Sequence, residues 1–455
     1  MAMEIVILNS PLFRDYNPLY DEDSLPPLGL GYIATALENQ GHVVRLIDAV
    51  ADRIPLSQLV EQLRTAKPAV VASNVFTTNY NLVHELFEAL DFETHILIGG
   101  LATKGLHDKI LSWRTPNRVD VVFGDGELIC SALINGTVDQ HPIMENGNKR
   151  AFRVDQQSKY YVQDISPLPL SRKYFVNEPV AHPFGFDEAN IIASRGCIYN
   201  CSFCAAAASV NRDLGVRERS VESICEELEA IAINYPTVTS IRVLDDLFLK
   251  RASCLAKATE VFSKFRFSWR SMAHVQTFQG VGSEELQALK RSGCNELFIG
   301  IESGSPAVLK AIHKTHDIAK IQHNLGNVLR AGINVKGYFI YGFPDETAHD
   351  MEATYRLASE LMSVASSTGA RFRTSVFQYR PYHGTEIFHN LQSAGIATQV
   401  MSIEPDPALS AMVGRLQFNF HSGNYAKAPV ELVRDYIYRT TELNDSNLFN
   451  KRGAT

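Results

Sequence analysis

The chain has 455 residues, 45% of them hydrophobic and 20% charged, which supplies apolar material for large cores and a prior of roughly two to four domains. That composition excludes low-complexity disorder, collagen and a small disulfide scaffold. With a formal net charge of -7 and 14 His, the chain has no global cationic field to draw in phosphate backbones, which argues against a sequence-independent nucleic-acid binder.

Residues 1–145 alternate short apolar runs with amphipathic stretches. Glu4–Asn9 reads as a buried strand, and Leu30–Gly41 as a helix ending at a C′ glycine. Val43–Asp48, Ala69–Ser73, Thr94–Gly100 and Asp120–Phe123 are the further strands. Strand–helix alternation of this kind predicts an open parallel sheet with helices on both faces, and such sheets bind ligands at the carboxyl ends of their strands. Those ends carry Asn9-Ser-Pro11, Asp48, Ser73–Asn79, Gly99-Gly100 and Gly124–Glu127. Small and polar loops on one edge point to a flat ligand site. Glycines there equally serve to close tight turns.

Residues 146–185 read as a connector with a small hairpin or loop around Asn146-Gly-Asn148 and Ser166-Pro-Leu-Pro169. A second alternating series over 186–385 opens at Asn190–Ser194. It continues through Ser240–Leu244, Phe267–Arg270, Glu296–Gly300, Asn334–Ile340 and Arg373–Phe377. Helical stretches fall between these strands, one starting at the N-cap Ser220. Six such strands predict a barrel or an incomplete barrel. Residues 386–455 read as a short-helical region of mixed charge.

The 7 cysteines are an odd number, three of them crowded between 197 and 204 and the others scattered singly, so no disulfide framework is expected. The first residues hold no basic segment followed by an apolar one, and no run approaches 18 apolar residues. The expectation is a cytoplasmic protein with no membrane association. Cys197, Cys201 and Cys204 follow the first strand of the second series directly, in Ser194-Arg-Gly-Cys197-Ile-Tyr-Asn-Cys201-Ser-Phe-Cys204. Three thiolates so spaced can converge on one metal centre from a loop. Zinc would want a fourth Cys or His at matching spacing, and none follows. Three ligands suit a [4Fe–4S] cluster whose last iron is left for an exogenous ligand.

This Cys-x3-Cys-x2-Cys loop, with Phe203 before its last cysteine, resembles the signature of the radical S-adenosylmethionine (SAM) enzymes. The likeness extends along the chain. Pro26–Ala34, Gly99-Gly100 and Gly124–Glu127 resemble the cobalamin-binding domain that precedes many radical SAM domains. Arg217–Ser220, Leu244–Phe248, Gly300–Gly304 and Tyr341–Thr347 occur in that subfamily's order. The resemblance implies an α/β chain: an N-terminal Rossmann-like cobalamin-binding-type domain, a central partial (β/α)6 radical SAM barrel and a small, mostly helical C-terminal region. It also implies chemistry. The reduced cluster, held by Cys197, Cys201 and Cys204, gives an electron to the sulfonium of SAM, and the resulting 5′-deoxyadenosyl radical abstracts hydrogen from substrate.

Site roles follow from the same resemblance. Glu302 is placed to contact SAM, as is Phe203 in the cysteine loop. Asp245 and Asp246 are placed to face SAM or substrate, and Arg219 to balance the SAM carboxylate. Leu28, Gly29, Asn74, Phe76, Thr77, Gly99, Gly100, Gly126 and Glu127 are the expected cobalamin contacts, with Phe76 or Thr77 occluding the cobalt from below. The first domain lacks the Asp-x-His-x-x-Gly motif that supplies a lower axial histidine in many cobalamin proteins. Asp246, His274 and Tyr341 are the candidate catalytic residues. Arg270, Tyr338, Tyr379 and Tyr382 are weaker candidates, and Arg373 and Arg380 could line a pocket for a hydroxylated or anionic substrate. Cys225, Cys254 and Cys294 are expected to be inert.

The expected partners are a small-molecule substrate, as in natural-product synthesis, and an external electron donor such as flavodoxin or ferredoxin. The leading expectation is cobalamin-dependent methylation of an unactivated carbon. A non-methylating radical reaction, with a first domain that binds no cobalamin, is the alternative. A non-catalytic redox or sensing protein is disfavoured, since electron transfer alone needs no such barrel.

Overall fold

The computed structural model describes residues 2–11, 14, 25–182, 185–396 and 423–449. The chain divides into two compact units, one of 1–178, 203–217 and 381–404, the other of 179–202, 218–380 and 405–455.

The first unit is built on strands β1 (Glu4–Asn9), β2 (Val43–Asp48), β3 (Val70–Asn74), β4 (His95–Gly99), β5 (Arg118–Phe123), β6 (Met144–Asn146) and β7 (Lys149–Arg153). They form one sheet of order β2-β1-β3-β4-β5-β7-β6, parallel except for the β6–β7 hairpin. Helices α1 (Leu28–Glu38), α2 (Leu56–Ala66), α3 (Tyr80–Glu88), α4 (Thr103–Leu111) and α5 (Ile129–Ile134) make the crossovers. Continuous apolar runs such as Ile5–Leu8, all buried, mark strands covered on both faces. The expected hairpin exists, but β7 pairs with β5 and extends the sheet. The unit therefore runs past the expected boundary at 145 and takes in most of the connector. Helix α1 starts behind Pro27 and stops at Glu38; Gly41 closes the following turn at φ +87° rather than capping the helix directly.

The second unit holds β8 (Val180–His182) and β9 (Phe186–Ile191), then the two-residue strands β10 (Ser194–Arg195) and β11 (Arg217–Glu218), whose second half belongs here. There follow β12 (Ser240–Val243), β13 (Ser268–Ala273), β14 (Cys294–Glu302), β15 (Asn334–Tyr341) and β16 (Phe372–Gln378). The main sheet runs β16-β15-β14-β13-β12-β9-β8, six parallel strands with β8 antiparallel on one edge, so the barrel is partial as expected. Helices α6 (Val221–Asn234), α7 (Ser253–Phe262), α8 (Ser283–Arg291), α9 (Pro306–Ala311), α10 (Ile318–Arg330) and α11 (Ala348–Thr368) cover its outer face. Trp269, fully buried on β13, stacks on Phe262 of α7 at 4.7 Å and donates its indole N–H to the Ser292 carbonyl at 3.1 Å.

Beyond the last strand, α12 (Glu386–Ser393) groups with the first unit and α13 (Val430–Phe449) with the second. The expectation of short helices over 386–455 holds for α12, whereas α13 has 20 residues. It packs on β16 and α11 and buries Val433, Tyr436 and Ile437. Residues 397–422 and 450–455 of that region lie outside the described residues.

Candidate functional site

Parallel strands deliver their carboxyl ends to one edge, where the loops carry the polar residues. In the second unit the loop after β9 bears Cys197 and Cys201. Two consecutive aspartates after β12 hold its first half. Asp245 accepts from the Ala193 N–H at 2.7 Å and from the Ser194 hydroxyl at 2.6 Å, while Lys250 Nζ donates to that same hydroxyl at 2.6 Å. Burial pushes the Asp245 carboxyl up to about 6, against those two hydrogen bonds. Asp246 accepts from the Gly196 N–H at 2.9 Å, one residue before Cys197. Asp245 was expected to face SAM or substrate. Both its oxygens are instead engaged by the chain that enters the cysteine loop.

Other strand ends grip the same loop. Tyr199 stacks on His274, just past β13, with ring centroids 3.7 Å apart, and donates its hydroxyl to the Lys250 carbonyl at 3.0 Å. The His274 Nδ1 accepts from the Gln276 N–H at 3.1 Å, and burial together with the Lys314 charge pushes its imidazole down to about 2. The ring is neutral at physiological pH and packed under the loop. After α9, the Ile312 carbonyl accepts from the Ser202 N–H, and the His313 ring meets the Asn200 carbonyl at 3.2 Å. Burial raises the Cys197 and Cys201 thiols, and the nearby Lys314 charge pulls them back. None of the three loop cysteines is in a disulfide; Cys204 and Phe203 open the segment that groups with the first unit.

Glu302 ends β14 in the left-handed region at φ +67°, where a non-glycine residue is strained, and the β14–β15 register shifts there. Its side chain folds back over Gly300. Lys314 Nζ bridges the Gly300 carbonyl at 2.8 Å and Glu302 Oε1 at 3.1 Å. A Cβ on Gly300 would lie 2.2 Å from that carboxylate oxygen, so a side chain there would displace the folded-back carboxylate. The rest of this motif is structural: the Ser303 hydroxyl and the Gly304 N–H both meet Thr354 Oγ1 of α11 at 2.9 Å.

Three further expectations meet packing roles. Tyr341 is fully buried, with its hydroxyl against Thr440 Oγ1 at 2.7 Å and its ring stacked on Tyr436 of α13. Tyr379 is buried against Phe343 and Tyr425. Arg219 is buried, donating to Glu227, to the Ile192 carbonyl and to Ser223, so its charge is already balanced by α6. In the Tyr341–Thr347 turn, Glu346 accepts from the N–H groups of Gly342 and Phe343, and Thr347 caps α11 in a reciprocal box with Asp350. Cys225 and Cys294 are buried and Cys254 half-buried.

The inner face of this sheet carries charge lower down. Arg270 donates to Glu188 at 2.5 and 2.8 Å and to Glu296 at 3.2 Å, and Arg373 holds Glu296 in a fork at 2.6 and 2.7 Å. Arg373 is therefore committed to a carboxylate, and Arg380 is buried at the end of β16. Tyr338, above this layer, is half-buried.

In the first unit the loops after β1, β2 and β3 are joined by side-chain amides. Asn9 donates to Asp48 at 2.8 Å, Asn74 to Asn9 at 3.1 Å and Asn79 to Ser10 at 2.6 Å, while Asn79 accepts from the Phe76 N–H at 2.7 Å. The expected glycines separate into two kinds. Gly100 at φ +106° would strike the Val75 backbone with a Cβ, and Gly126 would strike Ile33, so both serve close packing. Gly29 is exposed, and among the described residues no atom lies within 4 Å of where its Cβ would sit; at Gly99 the nearest lies at 3.9 Å. These two leave the edge open. Leu28, Thr77 and Glu127 are buried, and Phe76 and Asn74 half-buried.

Two contacts in this unit had no signal in the sequence. Asp125, beside Gly126, is locked by Arg217, whose Nη2 lies 3.1 Å from Oδ1 and whose Nη1 donates to the Val162 carbonyl at 2.7 Å. His383, from the segment after β16, meets Thr77 Oγ1 with its backbone N–H and its Nδ1, each at 3.2 Å.

Comparison with known proteins agrees with this arrangement. Residues 191–358 match the radical SAM superfamily and residues 22–134 the B12 binding domain. An uncharacterized methyltransferase of Pyrococcus horikoshii is 26% identical over 353 residues, 74% of this chain and 73% of the relative. The cytidylyl-2-hydroxyethylphosphonate methyltransferase of Streptomyces wedmorensis is 24% identical over 453 residues, 85% of this chain and 80% of the relative. The radical S-adenosylmethionine methyltransferase TsrM of Kitasatospora setae, solved with cobalamin and a [4Fe–4S] cluster, shares the fold with a TM-score of 0.62 at 16% identity, over 96% of this chain and 85% of that one. The held cysteine loop, the six-stranded parallel arc and both domain matches make this chain a radical SAM protein with an N-terminal B12-binding domain.

Proposed function

We propose that this protein is a cobalamin-dependent radical SAM methyltransferase acting on a carbon of a small molecule. The observation that carries the reading is the cysteine loop held at several points, in a chain that also matches a B12 domain. The residues fit the groups implied. Three thiols outside any disulfide suit three irons of a cluster, and the open edge at Gly29 and Gly99 suits a flat ring. When bound, the cluster supplies the electron that cleaves SAM, and cobalamin the means to carry a methyl group.

The chain's own part is positioning. Asp245, Asp246 and Lys250 order the backbone entering the loop before any ligand binds. Glu302, held back by Lys314, presents a carboxylate at a strand end, where it can take the SAM ribose or amino group. Neutral His274 supports the Tyr199 ring rather than relaying a proton. The amide-linked loops of the first unit, with Phe76 and Thr77 on the β3 loop, would be among the residues that hold the corrin.

The methyl-transferring relatives support methylation over rearrangement, and the phosphonate-handling relative fits a small-molecule substrate. A flavodoxin- or ferredoxin-type donor, a cytoplasmic setting and the lack of nucleic-acid or membrane partners complete the proposal. No helix among the described residues is long and apolar enough to cross a membrane. The test is anaerobic reconstitution with iron, sulfide and hydroxocobalamin, followed by desalting and an absorption spectrum. Retained corrin with the cluster band, then S-adenosylhomocysteine and 5′-deoxyadenosine formed together, is the expected result. A cluster band without corrin, and 5′-deoxyadenosine alone, would turn the assignment to a non-methylating reaction.

A further inference from the structure

The first unit holds a pocket of about 290 Å³ between the start of α4, the ends of β5 and β7, and the segment that follows the cysteine loop. None of the residues expected to hold SAM or the corrin lines it. Its floor is the buried Phe123 ring, which His107 meets at 5.6 Å and the Arg153 guanidinium covers at 5.5 Å. The space lies at the lower limit of cofactor-sized sites and suits one or two side chains.

The charges around this floor divide into committed and available ones. Lys104 Nζ lies 2.6 Å from Asp213 Oδ1 and also donates to the Val210 carbonyl at 3.2 Å. His107 donates from Nδ1 to the Lys104 carbonyl at 3.1 Å, and its Nε2 lies 3.2 Å from Asp108. Arg153 and Arg212 are left. Both are exposed, and neither makes an ion pair among the described residues. In a chain of formal net charge -7 they form a local cationic rim around an aromatic floor.

The rim is tied to the cysteine loop. Ser209 lines the pocket five residues past Cys204, so the chain between them spans at most about 18 Å. The Ala207 N–H donates to the Cys204 carbonyl at 3.1 Å and the Val210 N–H to the Ala207 carbonyl at 3.0 Å, which turns the segment and shortens that span. Lys104 fixes the far end through Val210 and Asp213. A molecule seated on the rim is therefore brought close to a cluster ligand.

We propose that the rim at Arg153 and Arg212 docks an acidic one-electron donor protein of the flavodoxin type, with a carboxylate side chain entering over Phe123. Guanidiniums take carboxylates in forked, charge-assisted hydrogen bonds, and an apolar floor inside a charged rim is the anatomy of a protein interface. Elsewhere the acidic chain repels such a donor, so the rim also orients the encounter. The donor's flavin hydroquinone gives up one electron and becomes the semiquinone, and the cluster takes that electron, passing from the 2+ to the 1+ state. The proposal rests on the radical SAM reading for the use made of that electron; the surface itself is tested apart from it.

The test is anaerobic stopped-flow mixing of the reconstituted holoenzyme with a flavodoxin held as hydroquinone, followed through the semiquinone. Dithionite serves in parallel as a small reductant, and 5′-deoxyadenosine is measured in every mixture. At low ionic strength, Arg153→Glu with Arg212→Glu should slow reduction by flavodoxin on the order of tenfold or more and leave reduction by dithionite unchanged. Arg153→Lys with Arg212→Lys should keep most of the wild-type rate, and added salt should remove the difference. Equal flavodoxin rates in the charge-reversed variant and the wild type overturn the surface. So does an equal loss with dithionite, which places the effect on the cluster, and so does a wild type that dithionite reduces and flavodoxin does not. Saturable binding of inorganic phosphate that needs both arginines, with flavodoxin rates unchanged, overturns docking and makes the pocket a small-anion site. A cluster that both donors reduce but that cleaves no SAM retires the methyltransferase, while the rates still decide the surface.

Discussion

Replacing Arg217 by Met tests how the Gly124–Glu127 loop is held. The guanidinium donates to both oxygens of Asp125 and to the Val162 carbonyl, stacks 4.6 Å over the Tyr161 ring, and both partners are under 10% exposed. The variant leaves a buried carboxylate that has lost its guanidinium while still accepting from the Val162 N–H at 3.3 Å. Breaking such a pair from one side costs about 3–5 kcal/mol. In a unit of this size that lowers the midpoint of thermal unfolding by on the order of 6–20 °C. Asp125→Asn added to Arg217→Met removes the stranded charge, so the double variant should recover most of the loss. Differential scanning calorimetry on all three proteins, with corrin retention after desalting, reads the effect. A single variant within about 1 kcal/mol of wild type, or a double variant no better than the single, would refute the reasoning.

Cys197→Ala should abolish the cluster, read as iron and sulfide content after reconstitution, while leaving the circular dichroism of the apoprotein unchanged. Gly300→Ala drives a methyl group against Glu302, 2.2 Å from its carboxylate oxygen, so SAM affinity by equilibrium dialysis should fall on the order of tenfold, equivalent to about 1.4 kcal/mol. Glu346 gives a pH signature. Burial pushes its carboxyl up to about 8 from an ordinary 4.5, so the native state holds a proton that the unfolded state releases across that window. Stability contributed by Glu346 is complete below the lower value and lost as pH rises to the upper one, by on the order of a few kcal/mol. Glu346→Gln should flatten that decline in denaturant titrations; an unchanged profile would show that Glu346 ionises freely.

Elements and loops were legible because their signals run along the chain. Strand positions follow from apolar runs, the cysteine loop from its spacing, and the Ser220 cap from the serine itself, whose hydroxyl accepts from the Ser223 N–H. Partners across strands were not legible. Asp245 sits where a strand-end carboxylate should meet a ligand, but its hydrogen bonds go to the neighbouring strand's exit. Lys314 lies outside every motif and reaches the site only because the turn after α9 folds back over β14. Arg217 finds Asp125 across 92 residues, and the ion pairs of the inner face draw single residues from β9, β13, β14 and β16. Periodicity assigns each of these to a face, but names no neighbour.

The grip on the cysteine loop divides the barrel into two territories for anyone altering its specificity. The exits of β12 and β13 are occupied by holding the loop, through Asp245 and Asp246 and through His274, and the turn after α9 adds Ile312 and His313. A change at any of them acts directly on the cysteine loop. Lower on the inner face, Arg242 and Lys336 lie over the Phe298 ring, Lys336 lies over the Tyr338 ring, and Tyr338 packs against Phe377. Substitutions on those lower rungs remove neither the hydrogen bonds of Asp245 and Asp246 nor the Tyr199–His274 stack that hold the loop.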